Sequence, residues 1–226
     1  MKHPEVTTFR ISSSMEDYLK TIYRLTTGNN MVSTSALARQ MGCSPASITA
    51  MLQKLSNLKL VNYERYQGVT LTKAGNKIAL ETIRHHRLIE LYLTEILGYS
   101  WDRVHDEAEQ LEHVISEEFE ERIDKALGYP TLDPHGDPIP TKEGTIDSQS
   151  LHSLWDTKSG ENVQVAHVSD GSPEVLRYLA SIGVFPKVGI HVIQKKSPEG
   201  PIRIKIKATQ HLLGEELARQ IFVLPI

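Results

Sequence analysis

The chain has 226 residues, 39% hydrophobic and 23% charged, with a formal net charge of −3 and one cysteine, Cys43. That length allows one large domain or two to three small ones, and the lone cysteine excludes an internal disulfide and a multi-thiolate zinc site. No apolar run reaches the about 18 residues of a membrane span, and the opening MKHPEVTTFRISSS lacks a secretory core, so a cytoplasmic protein with no membrane partner is expected.

Residues 14–27 place Met15, Tyr18, Leu19, Ile22 and Leu25 at helical spacing, with Ser14 as a cap and Gly28-Asn29-Asn30 as the stop. A second helix fits residues 33–41 and ends at Gly42. Ser44-Pro45 then opens a third, with Ser as N-cap, Pro at the first helical position, and Ile48, Met51, Leu52, Leu55 and Leu58 as its buried stripe. Residues 63–71 alternate around Gln67-Gly68 as a hairpin. Helix, short turn, helix, hairpin is the order of a winged helix-turn-helix. The third helix would offer Pro45, Ala46, Ser47, Thr49 and Ala50 to the major groove of double-stranded operator DNA. These are small side chains without an arginine for bidentate guanine reading, so DNA shape should carry much of the preference. Arg39, Lys54 and Arg65, with Tyr63 or Tyr66 on the wing, are the expected phosphate contacts.

A long helix is expected from Thr72 to Leu97, stopped by Gly98, and another from about Trp101 to Leu127, stopped by Gly128. Their apolar residues suit a dimer interface as readily as an intrachain core. Residues 129–150 carry four prolines and two glycines and should be extended and partly mobile. Beyond them, alternating Val163, Val165 and Val168, then Val188, Ile190 and Val192, then Ile202, Ile204 and Ile206, then Ile221 and Val223 read as short strands of a small β-barrel, with a helix at 173–183.

Charge is segregated along this order. Residues 1–75 hold nine Lys/Arg against four Asp/Glu, whereas residues 76–130 hold six against thirteen. A basic head on an acidic middle suits a nucleic-acid contact followed by a cation-binding region, or else a merely solvated acidic surface. Within the acidic region, His86-x-x-x-Glu90 and His105-x-x-x-Glu109-x-x-Glu112-His113 put six potential ligands on two helices. Nitrogen and carboxylate donors suit Mn²⁺, Fe²⁺, Co²⁺, Ni²⁺ and Zn²⁺. Read from residues alone, a metal site and a polar helix interface both fit. Glu117, Glu118, Glu120 and Glu121 read as a solvated face, and His3, His85, His152, His167, His191 and His211 join no motif.

The motifs MEDYLKTIY (15–23), SPASITAMLQKL (44–55), HHRLIELYL (85–93), VHDEAEQLEH (104–113), GDPIP (136–140) and LRYLASIGVFP…HLLGEELARQIFV resemble, in the right order, the diphtheria toxin repressor family of metal-dependent regulators. The resemblance covers nearly the whole chain. It implies a mainly α protein with β: a winged helix-turn-helix at 1–75, a helical metal-binding and dimerisation domain with a Pro-rich linker at 76–150, and an SH3-like, ferrous-transport-A-like domain at 151–226. It implies a homodimeric repressor controlling metal homeostasis, activated by Mn(II) or Fe(II), with Co, Ni, Zn and Cd also able to bind.

Carried onto this chain, the activating site would comprise Asp17, Glu109, Glu112 and His113, with His86 as a ligand or bridge. An ancillary site would draw on Glu90, His135, Asp133 and Asp170, with His105 a ligand in some relatives. Glu109 stands where iron-responsive members carry cysteine, and Asp133 where some relatives do. Lys20 replaces the carboxylate found one turn after the Asp17 equivalent in small manganese-responsive members, which speaks against a closely spaced binuclear pair of that type. The resemblance also suggests that the barrel contacts the Pro-rich linker or the metal site. Two other readings are a winged-helix regulator indifferent to metal and, from another class, a metallohydrolase, against which no H-E-x-x-H motif, nucleophile elbow or phosphate loop is present.

Overall fold

A computed structural model describes residues 11–26, 30–146, 150–195 and 200–226. His3 and the Gly28-Asn29 helix stop therefore lie outside the described residues, as does the 147–149 part of the Pro-rich segment. The chain divides into two compact units, one of residues 1–84 with 141–145 and the other of residues 85–140 with 146–226.

The first unit holds helices α1 (Ser13–Leu25), α2 (Thr34–Met41) and α3 (Pro45–Asn57), then strands β1 (Val61–Glu64) and β2 (Gly68–Leu71). Side-chain oxygens of Ser33 and Ser44 accept the Ala36 and Ser47 N–H groups and start α2 and α3. Ser44 is the expected cap, whereas Ser33 caps α2 rather than opening it, and the N-cap of α1 is Ser12, which leaves the expected cap Ser14 inside the helix. Gly42 ends α2 in the left-handed conformation, at φ +61°. Met15, Leu19, Ile22, Leu37, Ile48, Leu52, Leu55 and Val69 form its core. The β1–β2 ladder runs antiparallel from Val61 opposite Leu71 to Glu64 opposite Gly68, leaving Arg65, Tyr66 and Gln67 as the tip. This is a winged helix-turn-helix.

Helix α4 (Lys73–Glu95) begins in the first unit and continues from His85 in the second. One long helix was expected next, and two are found: α5 (Val104–Leu111) and α6 (Glu117–Ala126). The break has a local cause. The Ser116 hydroxyl accepts the Phe119 N–H and starts a new helix, so Glu112 caps α5 and His113 falls outside it. The Pro-rich stretch is less loose than its composition suggests. Leu132 bridges Pro138, and Asp133 Oδ1 accepts the His135 and Asp137 N–H groups at 2.8 and 2.9 Å.

The rest of the second unit holds β3 (His152–Ser153), β4 (Asn162–Val168), α7 (Pro173–Ser181), β5 (Gly189–Lys195), β6 (Ile202–Ile206), β7 (Thr209–Leu213), α8 (Glu215–Ala218) and β8 (Ile221–Pro225). The strands form one antiparallel sheet in the order β3-β8-β4-β5-β6-β7, around a core of Val163, Val165, Leu176, Leu179, Val192, Ile204 and Val223. Register shifts at Val165/His167 and Val192/Gln194 mark bulges. Strand β7 was not legible in advance, because TQHLL buries only its last residue and shows no alternation. No described helix is long and apolar enough to cross a membrane.

The segment that carries Asp133 and His135 packs against β4. Val168 N–H donates to the His135 carbonyl at 2.9 Å, and Gly136, at φ +92°, lies so close that a Cβ there would stand 2.0 Å from the Ala166 carbonyl oxygen. Gly136→Ala is therefore expected to destabilise the protein by about 2–4 kcal/mol, from backbone strain and overpacking together. Urea denaturation of the metal-free protein measures it, and a loss below about 0.5 kcal/mol would show that the segment does not need this approach.

Candidate metal centre

All of the candidate ligands except Asp17 lie in the second unit. Asp17 is on α1 of the first, where Lys20, one turn on, is buried at 3% exposure. Helix α4 turns His86 and Glu90 to one face, and both are buried. Helix α5 faces them with His105 and Glu109, and its cap supplies Glu112, also buried.

His86 is the centre of the arrangement because its two ring nitrogens meet different groups. Nδ1 stands 2.5 Å from Glu112 Oε2 and 3.9 Å from Glu109 Oε1. Nε2 stands 3.0 Å from Glu90 Oε1 and 3.1 Å from His105 Nδ1. His105 Nδ1 is in turn 3.3 Å from Glu90 Oε1 and 3.5 Å from Asp170 Oδ2. His113 Nε2 lies 3.3 Å from Glu112 Oε1.

Among the described residues of the second unit, three groups of donors thus gather, each with ligand atoms within 4.8 Å of one another: His86 with Glu109 and Glu112, His86 with Glu90, His105 and Asp170, and Glu90 with Asp133 and His135. The grouping refines the expected one. Asp170 clusters with His105 and His86 rather than with Asp133 and His135, and Glu90 belongs to two groups.

The third group is the most deeply buried. His135 Nε2 is bound to the Trp101 carbonyl at 2.8 Å, and its ring stacks on the Trp101 indole. A carbonyl only accepts, so Nε2 carries the proton and Nδ1 of the neutral ring offers a lone pair. That Nδ1 is buried 3.9 Å from Glu90 Oε2, and neither atom has a hydrogen-bond partner among the described residues. Buried polar atoms left unmet are costly. A nitrogen and carboxylate oxygens converging on one point fit a divalent first-row ion. Around them, Arg87 reaches Asp137 Oδ1 and the Pro138 carbonyl, and His167 Nδ1 lies 3.2 Å from Asp137 Oδ2.

Electrostatics follow from this crowding. Burial opposes a charge on His86, but the Glu90 carboxylate and the hydrogen bonds to Glu112 and Glu90 outweigh it and raise its pKa from 6.5 to about 9. Burial likewise favours a neutral Glu90, yet the His86 charge and the bonds to His105 and His86 hold its carboxyl below the usual range. Asp133 goes the other way. Burial, with the Asp137 and Glu90 charges beside it, pushes its pKa well up, against the pull of Arg87.

Two residues escaped the sequence reading. His85 joined no motif, and Glu120 was read as solvated. Instead, Glu120 is 5% exposed and its Oε2 lies 3.2 Å from His85 Nε2, while His85 Nδ1 lies 3.1 Å from the Glu112 carbonyl oxygen. The signal was the helix break at Ser116, which turns Glu120 inward. Of the predicted DNA contacts, Arg39, Pro45, Ala46, Ser47, Ala50, Lys54 and Arg65 are exposed and Thr49 half-buried. The Thr49 hydroxyl donates to the Pro45 carbonyl at 2.9 Å. Gln53, also exposed on α3, was not singled out, although it shares a face with Thr49 and Ala50.

With its folded-state pKa raised to about 9, protonated His86 adds stability to the metal-free protein that is complete below the ordinary 6.5 and lost as pH rises through 9. The thermal midpoint with chelator present should fall across that window, and fall less in His86→Gln. Divalent metal affinity should rise over the same range as the proton is displaced. Wild-type and variant midpoints with the same pH dependence would contradict this assignment.

Three stretches match known families: residues 10–69 the iron dependent repressor N-terminal DNA binding domain, residues 72–141 the iron dependent repressor metal binding and dimerisation domain, and residues 152–225 the FeoA domain. The iron-dependent repressor IdeR of Mycobacterium leprae is 30% identical over 222 residues, covering 92% of this chain and 95% of that protein. A solved manganese-dependent transcriptional repressor in complex with manganese is 38% identical, with a TM-score of 0.86 over 94% of this chain and all of the other. ScaR with bound Zn²⁺ is 33% identical, with a TM-score of 0.78 over 94% of this chain and 99% of its own. These relatives are named as iron- or manganese-dependent repressors, and the matched stretches span both units. The chain belongs to the diphtheria toxin repressor family of metal-dependent transcriptional regulators.

Proposed function

We propose that this protein is a cytoplasmic repressor that binds operator DNA as a homodimer when loaded with Mn(II) or Fe(II), and that it controls metal homeostasis. Residues 1–75 serve as its DNA-binding domain, 76–150 as its metal-binding and dimerisation domain with linker, and 151–226 as its SH3-like domain. The observation that carries this reading is the buried array of imidazoles and carboxylates centred on His86, in a chain that also holds a winged helix-turn-helix.

The activating ligands are Glu109, Glu112 and His113, with His86 bridging, and the resemblance adds Asp17. The ancillary ligands fall into two sets that share Glu90: His105 and Asp170 beside His86, and Asp133 with His135. A divalent cation would supply the positive charge that lets several carboxylates stay ionised together. The donors are all nitrogen and oxygen, with no thiolate, which suits Mn(II) and Fe(II). Co, Ni, Zn and Cd are expected to bind in vitro as well, since affinity alone favours the later metals. Asp17 sits on the first helix of the DNA-binding unit, so ligation through its carboxylate is the route by which occupancy reaches the recognition helix. Two recognition helices of a dimer read half-sites about one helical turn apart, so a small change in their setting decides binding. By linkage, operator DNA then tightens metal binding. The hydrogen bond from Val168 N–H to the His135 carbonyl and the close approach of His167 to Asp137 support a role for the SH3-like domain in holding the linker and its ligands in place.

On α3, the exposed faces of Pro45, Ala46, Ser47, Thr49 and Ala50 suit thymine methyl groups, and Gln53 adds an amide able to read adenine. Arg39, Lys54 and Arg65 hold phosphates.

Two measurements test this. With promoter fragments and purified protein, binding is expected with Mn²⁺ or Fe²⁺ and not with chelator, and Glu112→Ala should need at least about tenfold more metal. Equal binding with and without metal would leave a winged-helix regulator indifferent to metal. Separately, Arg39→Ala should weaken binding to all sequences alike and lower the slope of log K against log salt by about 1. An unchanged slope would remove Arg39 from the phosphate contacts.

A further inference from the structure

Two adjacent histidines of α4 hold one residue of the α5 cap by its two ends. His86 meets the Glu112 side chain, with Nδ1 2.5 Å from Oε2, and His85 meets its backbone, with Nδ1 3.1 Å from the carbonyl oxygen. A helix end leaves its last carbonyls without intrahelical donors, and His85 provides one there. The other nitrogen of His85 is fixed in turn, 3.2 Å from Glu120 Oε2 on α6, with the two side chains only 13% and 6% exposed.

A tie of this kind is a poor way to gain stability. Burying an imidazole against a carboxylate costs desolvation that the contact only partly returns. Packing among these elements is already supplied by Leu88 of α4, Ile123 of α6 and Ile139, flanked by Leu91, Tyr92 and Leu127. What the polar pair adds is geometry. It determines where the peptide of Glu112 stands, and therefore where the Glu112 carboxylate and the adjoining His113 point.

We propose that His85 and Glu120 are positioning residues of the metal centre, acting through the Glu112 carbonyl to hold Glu112 and His113 in ligating position. This rests on the metal-dependent reading above and adds α6 to the sensor. Neither residue touches the ion.

The test is Mn²⁺ titration of full-length wild type, His85→Leu, His85→Gln and Glu120→Gln, followed by the loss of the free Mn²⁺ electron paramagnetic resonance signal. Thermal midpoints of the metal-free proteins are measured in parallel. Glu120→Gln and His85→Leu should bind Mn²⁺ about tenfold more weakly, with a metal-free midpoint close to wild type. His85→Gln, whose amide N–H can still meet the carbonyl, should recover part of the loss. At saturating Mn²⁺, DNA binding by all three should match wild type. Wild-type Mn²⁺ affinity in Glu120→Gln and His85→Gln would overturn the proposal, whatever their stability and even if His85→Leu failed to fold. Absence of Mn²⁺ binding by the wild-type protein would instead refute the metal reading beneath it.

Discussion

Burying carboxylates without paired cations is expensive, and the second unit places Glu90, Glu112, Asp133 and Glu120 among its most buried side chains. Imidazoles are what make this tolerable in the metal-free state. His86 stands between Glu112 and Glu90 and His85 faces Glu120, while Asp133 takes two backbone N–H groups onto one oxygen. The compensation is incomplete, since Glu90 Oε2 and His135 Nδ1 face each other at 3.9 Å with no hydrogen bond to any of the described residues. Protons and metal ions therefore compete for the same donors, and the same crowding that raises the His86 pKa prepares the centre for a divalent cation.

Helix α4 makes the crowding possible. Residues 85, 86 and 90 of one helix address three different partners: the α6 carboxylate with the α5 cap, the α5 ligands, and the segment around Asp133 and His135. Adjacent positions on a helix diverge by about 100°, so His85 and His86 can reach the backbone and the side chain of the same Glu112. The segment around Asp133 is held from the other side by the sheet, through the close approach of Gly136 to Ala166 and the bulge that follows Val165. Candidate donors from two helices, a turn and Asp170, two residues beyond β4, thereby gather without a single thiolate.

The DNA-binding unit is built on a different economy. Its core is almost wholly aliphatic, and the outer face of α3 from Pro45 to Gln53 carries short side chains and one amide. With Thr49 back-bonded to its own helix and the Ser44 and Ser47 hydroxyls 2.9 Å apart, few donors are aimed outward.

Local chemistry determined much of this protein in advance. The Ser44-Pro45 start, Gly42 and the alternating valines and isoleucines placed the winged helix-turn-helix and most of the sheet, and the i, i+4 spacing of His86 with Glu90 and His105 with Glu109 marked the centre. These signals are legible because each depends on residues a few positions apart. The helix break at Ser116 was written in the same code but lost within an acidic stretch that resembles one continuous amphipathic helix. Strand β7, polar and at the sheet edge, had no period to read. The roles of His85 and Glu120, the sharing of Glu90 between two groups and the position of Asp170 came from the tertiary structure alone. They depend on contacts between residues 15 to 65 positions apart, and no local pattern encodes which distant carboxylate a buried imidazole will meet.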